Sequence, residues 1–184
     1  MHIGIIVFDD FTDIDVFIPW DILNRVENQN WTVHFLGSKK SHTSMTGITI
    51  NTHNSINNCK DYDALFVTSG PGARQLYQDK TWLSNLKLDP QRQIIAAIDS
   101  GALILAALGL LNGLTATTYP TAKILLENMG ISYIEQSFVE HNNIATAAAC
   151  LASADLSYWI IKKLLDQKIA DEIMLTVKPL GYAS

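Results

Sequence analysis

Two aspartates, Asp15 and Asp99, are the residues whose types and settings could do acid–base chemistry. Asp99 lies in the run Ile94-Ile95-Ala96-Ala97-Ile98-Asp99-Ser100-Gly101-Ala102-Leu103-Ile104-Leu105. A buried strand there passes into a buried helix with almost no loop. Small residues surround the bend, so backbone can pack on backbone, as in a nucleophile elbow. The bend residue is driven toward positive φ, which Asp tolerates better than most side chains. The following helix aims its free N–H groups and positive dipole end at the same place. The same residues also fit a plain helix N-cap, for which Asp is a favoured type. The segment alone supports both readings.

Asp15 has two readings as well. Thr12-Asp13-Ile14-Asp15 fits a capping box, with Thr12 at the N-cap and Asp15 reaching back to its N–H. Glu or Gln would do this better than the shorter Asp. Pro19 has no N–H for the Asp15 carbonyl, so the helix should bend there, which suits a side chain held in a cleft. If Asp15 and Asp99 meet, like charge and burial raise one pKa, and the pair holds a single proton near neutrality. One carboxyl then acts as acid and the other as base or nucleophile.

Four further residues surround this pair as candidates. The N–H groups of Ser100 and Gly70 are the expected donors to an anionic oxygen, since Pro71 cannot donate. Ser69 would narrow or polarise the same turn. Tyr119 is either a packed ring with a wet hydroxyl or a ligand donor. Asp9 and Asp10 read first as turn formers, and secondarily as cation ligands together with Asp15 and Asp99.

The elements that must position these residues alternate short apolar runs with helical stretches. Strands are predicted over Ile3–Phe8, Trp31–Leu36, Ala64–Thr68 and Gln93–Ile98. Ser41–Thr43 and Ile48–Asn51 suit a hairpin about Thr46-Gly47. Shorter strands are expected at Ile131–Tyr133 and Phe138–Glu140, with Asn142-Asn143 as a turn. Helices are expected over Thr12–Val26, Ser100–Leu108, Lys123–Asn128, Leu151–Leu165 and Ala170–Val177. This alternation implies a largely parallel sheet covered on both faces. Ligands bind at the carboxyl ends of such strands, which singles out the turns after Phe8, Thr68 and Ile98.

Composition sets the outer bounds. The 184 residues suit one domain over 1–184, and almost half are apolar. Net charge is −5 with Lys and Arg scattered, which argues against a nucleic-acid partner. The start of the chain lacks a cationic segment ahead of its apolar run, and Ala102–Leu111 is too short to span a bilayer. A cytoplasmic protein without a membrane partner is the simplest expectation. The two cysteines, Cys59 and Cys150, read as free thiols, with Cys150 expected in apolar core. The five histidines form no HxxxH pair, so no metal and no cofactor is expected.

The run "IIAAIDSGALILAALGLLNGLTATTYP" resembles the elbow region of the ThiJ/PfpI superfamily, a branch of the class I glutamine amidotransferase-like fold. "YDALFVTSGPGARQL" is similar to its Pro-Gly-Gly strand and turn. "FDDFTDIDVFIPWDIL" resembles its first strand and helix, and "IATAAACLASADLSYWIIKKL" the start of its late helix. Within the superfamily the chain resembles the isonitrile hydratases, which place an Asp in the first helix, here Asp15. The resemblance implies a flavodoxin-like three-layer α/β sandwich, a small-molecule substrate and a homodimer. It also implies departures. Asp99 stands where members carry a nucleophilic cysteine, Tyr119 where many carry a histidine, and Thr68-Ser69-Gly70 where the oxyanion turn reads Pro-Gly-Gly.

Two functions follow as expectations. One is a hydratase or hydrolase of a small C–N or carbonyl substrate, with Asp99 and Asp15 activating water. The other is a non-catalytic module that binds a small molecule and has lost the cysteine nucleophile.

Overall fold

The computed structural model describes residues 1–179, so the last five residues of the expected 1–184 domain lie outside it. Eleven strands are present among the described residues: β1 (His2–Ile6), β2 (Thr32–Gly37), β3 (Ser41–Thr43), β4 (Thr49–Asn51), β5 (Asn54–Ser55), β6 (Ala64–Val67), β7 (Ile94–Ile98), β8 (Thr115–Ala116), β9 (Ser132–Tyr133), β10 (Phe138–His141) and β11 (Ile144–Ala147). The helices are α1 (Asp13–Leu23), α2 (Ala73–Leu76), α3 (Lys80–Leu83), α4 (Gly101–Ala107), α5 (Lys123–Asn128), α6 (Ser153–Leu164) and α7 (Gln167–Leu175).

Seven strands form the central sheet in the order β10-β11-β7-β6-β1-β2-β5. Every pair in it is parallel except the β10–β11 hairpin. The central strands carry apolar side chains on both faces because helices cover both. Every residue of β6, β7 and β11 is buried. Helices α1, α6 and α7 pack together against the sheet, and α2, α4 and α5 form a second group. The architecture is the largely parallel, helix-covered sheet that the alternation implied, in the flavodoxin-like form that the resemblance implied.

Most of the expected elements form within a few residues of their predicted ends, including the β3–β4 hairpin and all of α5. Strand β11 departs from expectation. Its sequence, Ile-Ala-Thr-Ala, alternates strand formers with alanines, which strands disfavour. Burial between β7 and β10, with Ile144 opposite Ile95 and Ala147 opposite Ile98, makes it a strand. Its carboxyl end therefore joins those of β1, β6 and β7 along one edge.

Candidate functional site

At that edge, β7 turns into α4 through Asp99, whose φ is +47°. The turn is tight because Gly101 lets the helix start against the end of β6. A Cβ on Gly101 would lie 2.6 Å from the Thr68 carbonyl oxygen and 2.7 Å from that of Val67. The neighbouring turn after β6 is equally close to the chain beyond β1. A Cβ on Gly70 would lie 2.2 Å from the Asp10 carbonyl oxygen, and Gly70 itself has φ +142°. Three loops are thereby pressed into contact around one cavity of about 340 Å³.

Asp99 does not cap α4. Its Oδ1 accepts the N–H of Ala149 (2.6 Å), and its Oδ2 faces the Cys150 sulfur (3.8 Å). Its backbone carbonyl is held by Thr118 Oγ1 (2.8 Å). Asp15 does not complete a capping box either. Thr12 occupies the N-cap position, but its side chain makes no cap bond. The Thr12 N–H donates instead to the Ser69 carbonyl (2.9 Å), leaving nothing for Asp15 to satisfy there. The fully buried Asp15 carboxyl accepts hydrogen bonds from the hydroxyls of Ser69 and Ser153.

The two carboxyls and the Cys150 sulfur converge: each offers an atom within 4.8 Å of the other two. Burial raises the Asp15 pKa against the hydrogen bonds of Ser69, Cys150 and Ser153. Burial raises Asp99 to about 6; the Ala149 N–H opposes this and the Asp15 charge adds to it. Cys150 is pushed up to about 12, by burial and then by both carboxylates. Among the described residues these three side chains are the group that could approach a cation together, and all three already carry protein hydrogen bonds.

Cys150 corrects an expectation. It is a half-buried residue of the pocket wall, not a core thiol, because β11 ends at Ala147 and delivers it to the sheet edge. Cys59 is the buried one, with Sγ accepting the Lys87 N–H (3.1 Å); both cysteines are free. The Gly70 N–H is likewise not open to a ligand. It donates to Ser100 Oγ (3.1 Å), whose hydroxyl also lies 3.2 Å from the Gly70 carbonyl. The donor left at the elbow is the Ser100 N–H at the start of α4, where a helix has no carbonyl to offer it.

Ser69 anchors Asp15, and Tyr119 stands at the pocket mouth with 41% of its surface exposed. Asp9 turns away. It binds Lys39, His42 Nδ1 and the Thr43 N–H, which together outweigh burial and hold its pKa near 2. Met45 and Arg74 complete the walls with Pro71, and neither of the two was singled out by sequence. None of these, nor Cys150, sits in a spacing pattern. Pro71 and Arg74 fall inside "SGPGARQL" and Cys150 inside "IATAAACLASADLSYWIIKKL", stretches that the resemblance flagged, whereas Met45 falls in none.

Known proteins share this arrangement of elements. The chain is 24% identical over 180 residues to the isonitrile hydratase of Pseudomonas putida, covering 97% of this chain and 78% of that protein. A ThiJ/PfpI family protein from Pseudomonas syringae superposes with a TM-score of 0.86 at 24% identity, over 100% of this chain and 78% of that one. Schizosaccharomyces pombe DJ-1 superposes at 0.81 and 18% identity, covering both chains fully. Among the described residues no helix is long and apolar enough to cross a membrane. With residues 1–163 matching it, the chain belongs to the DJ-1/PfpI family.

Proposed function

We propose that the protein adds water to a small C–N or carbonyl substrate by means of the Asp15–Asp99 pair. The observation that carries this is the convergence of two buried carboxyls, from α1 and the elbow, within 4.8 Å at one pocket. Asp99 faces the pocket and ionises at about 6, so it is the base at neutral pH. Asp15, wholly buried, keeps the shared proton. Asp99 takes a proton from water as the water oxygen adds to the substrate carbon. Asp99 then gives that proton to the atom that receives the displaced electron pair and is a carboxylate again, while Asp15, behind Asp99 and out of the pocket lining, keeps its own proton. A carboxylate is a weak nucleophile toward such carbon, which favours base catalysis over a covalent adduct. The isonitrile hydratase relative makes an isonitrile the first substrate to try.

The test is a screen of small isonitriles, amides, aldehydes and esters, followed by Asp99→Asn. The variant should fold and lose turnover by ~10²–10⁴-fold, the usual worth of a general base. Undiminished activity in Asp99→Asn would sink the mechanism.

One observation favours the other reading, a binding module without turnover. The Gly70 N–H is already occupied by Ser100, which leaves one fewer donor for an oxyanion. That reading expects a thermal shift from a bound metabolite and no turnover across the screen. Turnover lost on Asp15→Ala would exclude it.

A further inference from the structure

Formal charge is segregated along the depth of the pocket, with Asp99 at one end and Arg74 at the other. Acceptors stand at its floor: Asp99 is 4% exposed, and Asp15 behind it has no exposed surface. Donors stand at its mouth: the half-buried guanidinium of Arg74 and the exposed hydroxyl of Tyr119. Arg74 is fixed by Thr121, whose carbonyl accepts from Nη1 (3.1 Å) and whose Oγ1 accepts from Nη2 (2.6 Å). Among the described residues no carboxylate forms an ion pair with it. Two bonds to a neutral threonine leave further guanidinium N–H donors free on the pocket side. Its geometry suits a carboxylate, which it meets through two parallel N–H bonds.

We infer that the ligand is a small carboxylic acid that carries an uncharged C–N group at its other end. The carboxylate docks on Arg74 at the mouth, and the C–N carbon reaches Asp99 at the floor. The inference rests on the reading of this pocket as the reaction site and narrows its substrate class. Charge decides against the alternatives. A second anionic group at the floor would meet the ionised Asp99, and a wholly neutral ligand would make no use of Arg74, the cation among the lining residues. Size agrees: a cavity of 340 Å³ has room for roughly ten water-sized groups. Met45 and Pro71 offer apolar contact to the short carbon chain between the two ends.

The probe pair is succinamate and succinamide, which differ only in carboxylate against amide. Binding to the intact protein is read by calorimetry or by ligand-observed NMR. The wild type should bind succinamate at least tenfold more tightly than succinamide. Arg74→Gln should erase that preference, and Arg74→Lys should keep part of it, because the charge survives without the planar fork. Equal binding of the two probes, no binding of succinamate, or a preference that survives Arg74→Gln would each overturn the inference. The readout is binding, so it is separable from the turnover test on Asp99. Turnover of neutral substrates with no carboxylate preference would overturn this inference and leave the carboxylate pair standing.

Discussion

An aspartate that ionises at about pH 6 inside the fold, against 3.8 outside it, favours the folded state only while protonated. Its contribution is fully present below about pH 3.8 and is lost as pH rises through about 6. Two pH units correspond to about 3 kcal/mol as an upper bound. Asp99→Asn removes the charge and keeps an oxygen for the Ala149 N–H. The variant should therefore be more stable than the wild type by about 1–3 kcal/mol at pH 8, with the gap closing below pH 4. Urea denaturation at the two pH values reads the difference. Cys150 makes a second prediction at this scale. With its pKa near 12, almost none of it is thiolate at neutral pH, so alkylation by iodoacetamide should be far slower than for an exposed cysteine. Asp99→Asn should speed it by removing the ionised carboxylate beside the sulfur. Residue-scale legibility divides along the same lines. Asp99 was readable because a loopless strand-to-helix passage dictates its backbone. Asp15 was ambiguous because its local pattern is also that of a capping box, and the Ser69 hydroxyl that claims it lies 54 residues away. Cys150 was misplaced because its neighbours are apolar in sequence and acidic only in space.

At the scale of elements, close backbone approach is what brings the site together. Gly101 allows α4 to begin against the carbonyls that end β6. Gly101→Ala must push the helix away, and neither obstructing atom is a flexible side chain. A loss of about 1–3 kcal/mol is expected, with activity falling further than stability because Asp99 shifts with the helix. Ala149 predicts the opposite sign. Its φ of +71° with ψ of 136° is a conformation glycine adopts freely and alanine does not. The strain aims its N–H at Asp99. Ala149→Gly relieves it at the cost of added freedom in the unfolded chain, for a net gain of about 1 kcal/mol in thermal or chemical denaturation. The major strands were legible because burial on both faces demands continuous apolar runs. Strand β11 was not, since its two alanines interrupt the β-branched run and its place between β7 and β10 completes the strand. Ala149's conformation leaves no sequence signal at all.

For the whole molecule, the exposed apolar side chains are unevenly placed. Ile14, Met45, Ile48 and Leu151 are each between 41% and 74% exposed. The β3–β4 hairpin lies against the start of α1, through Thr12 with Met45 and Thr46 with Asp13. Leu151 follows Cys150, whose turn packs on the same helix. These four lie on elements that meet beside the pocket. The homodimer that the resemblance implied would bury them, at the edge that carries Asp15 and Cys150. Leu151→Glu and Ile48→Glu place charges there without touching core packing, because both side chains point outward. Light scattering should give twice the chain mass for the wild type and the chain mass for the double variant. One copy supplies every residue that lines this pocket, so the turnover proposed for it should persist in the monomer. A wild type that runs as a monomer at all accessible concentrations would remove the dimer and leave the apolar rim as part of the ligand's approach.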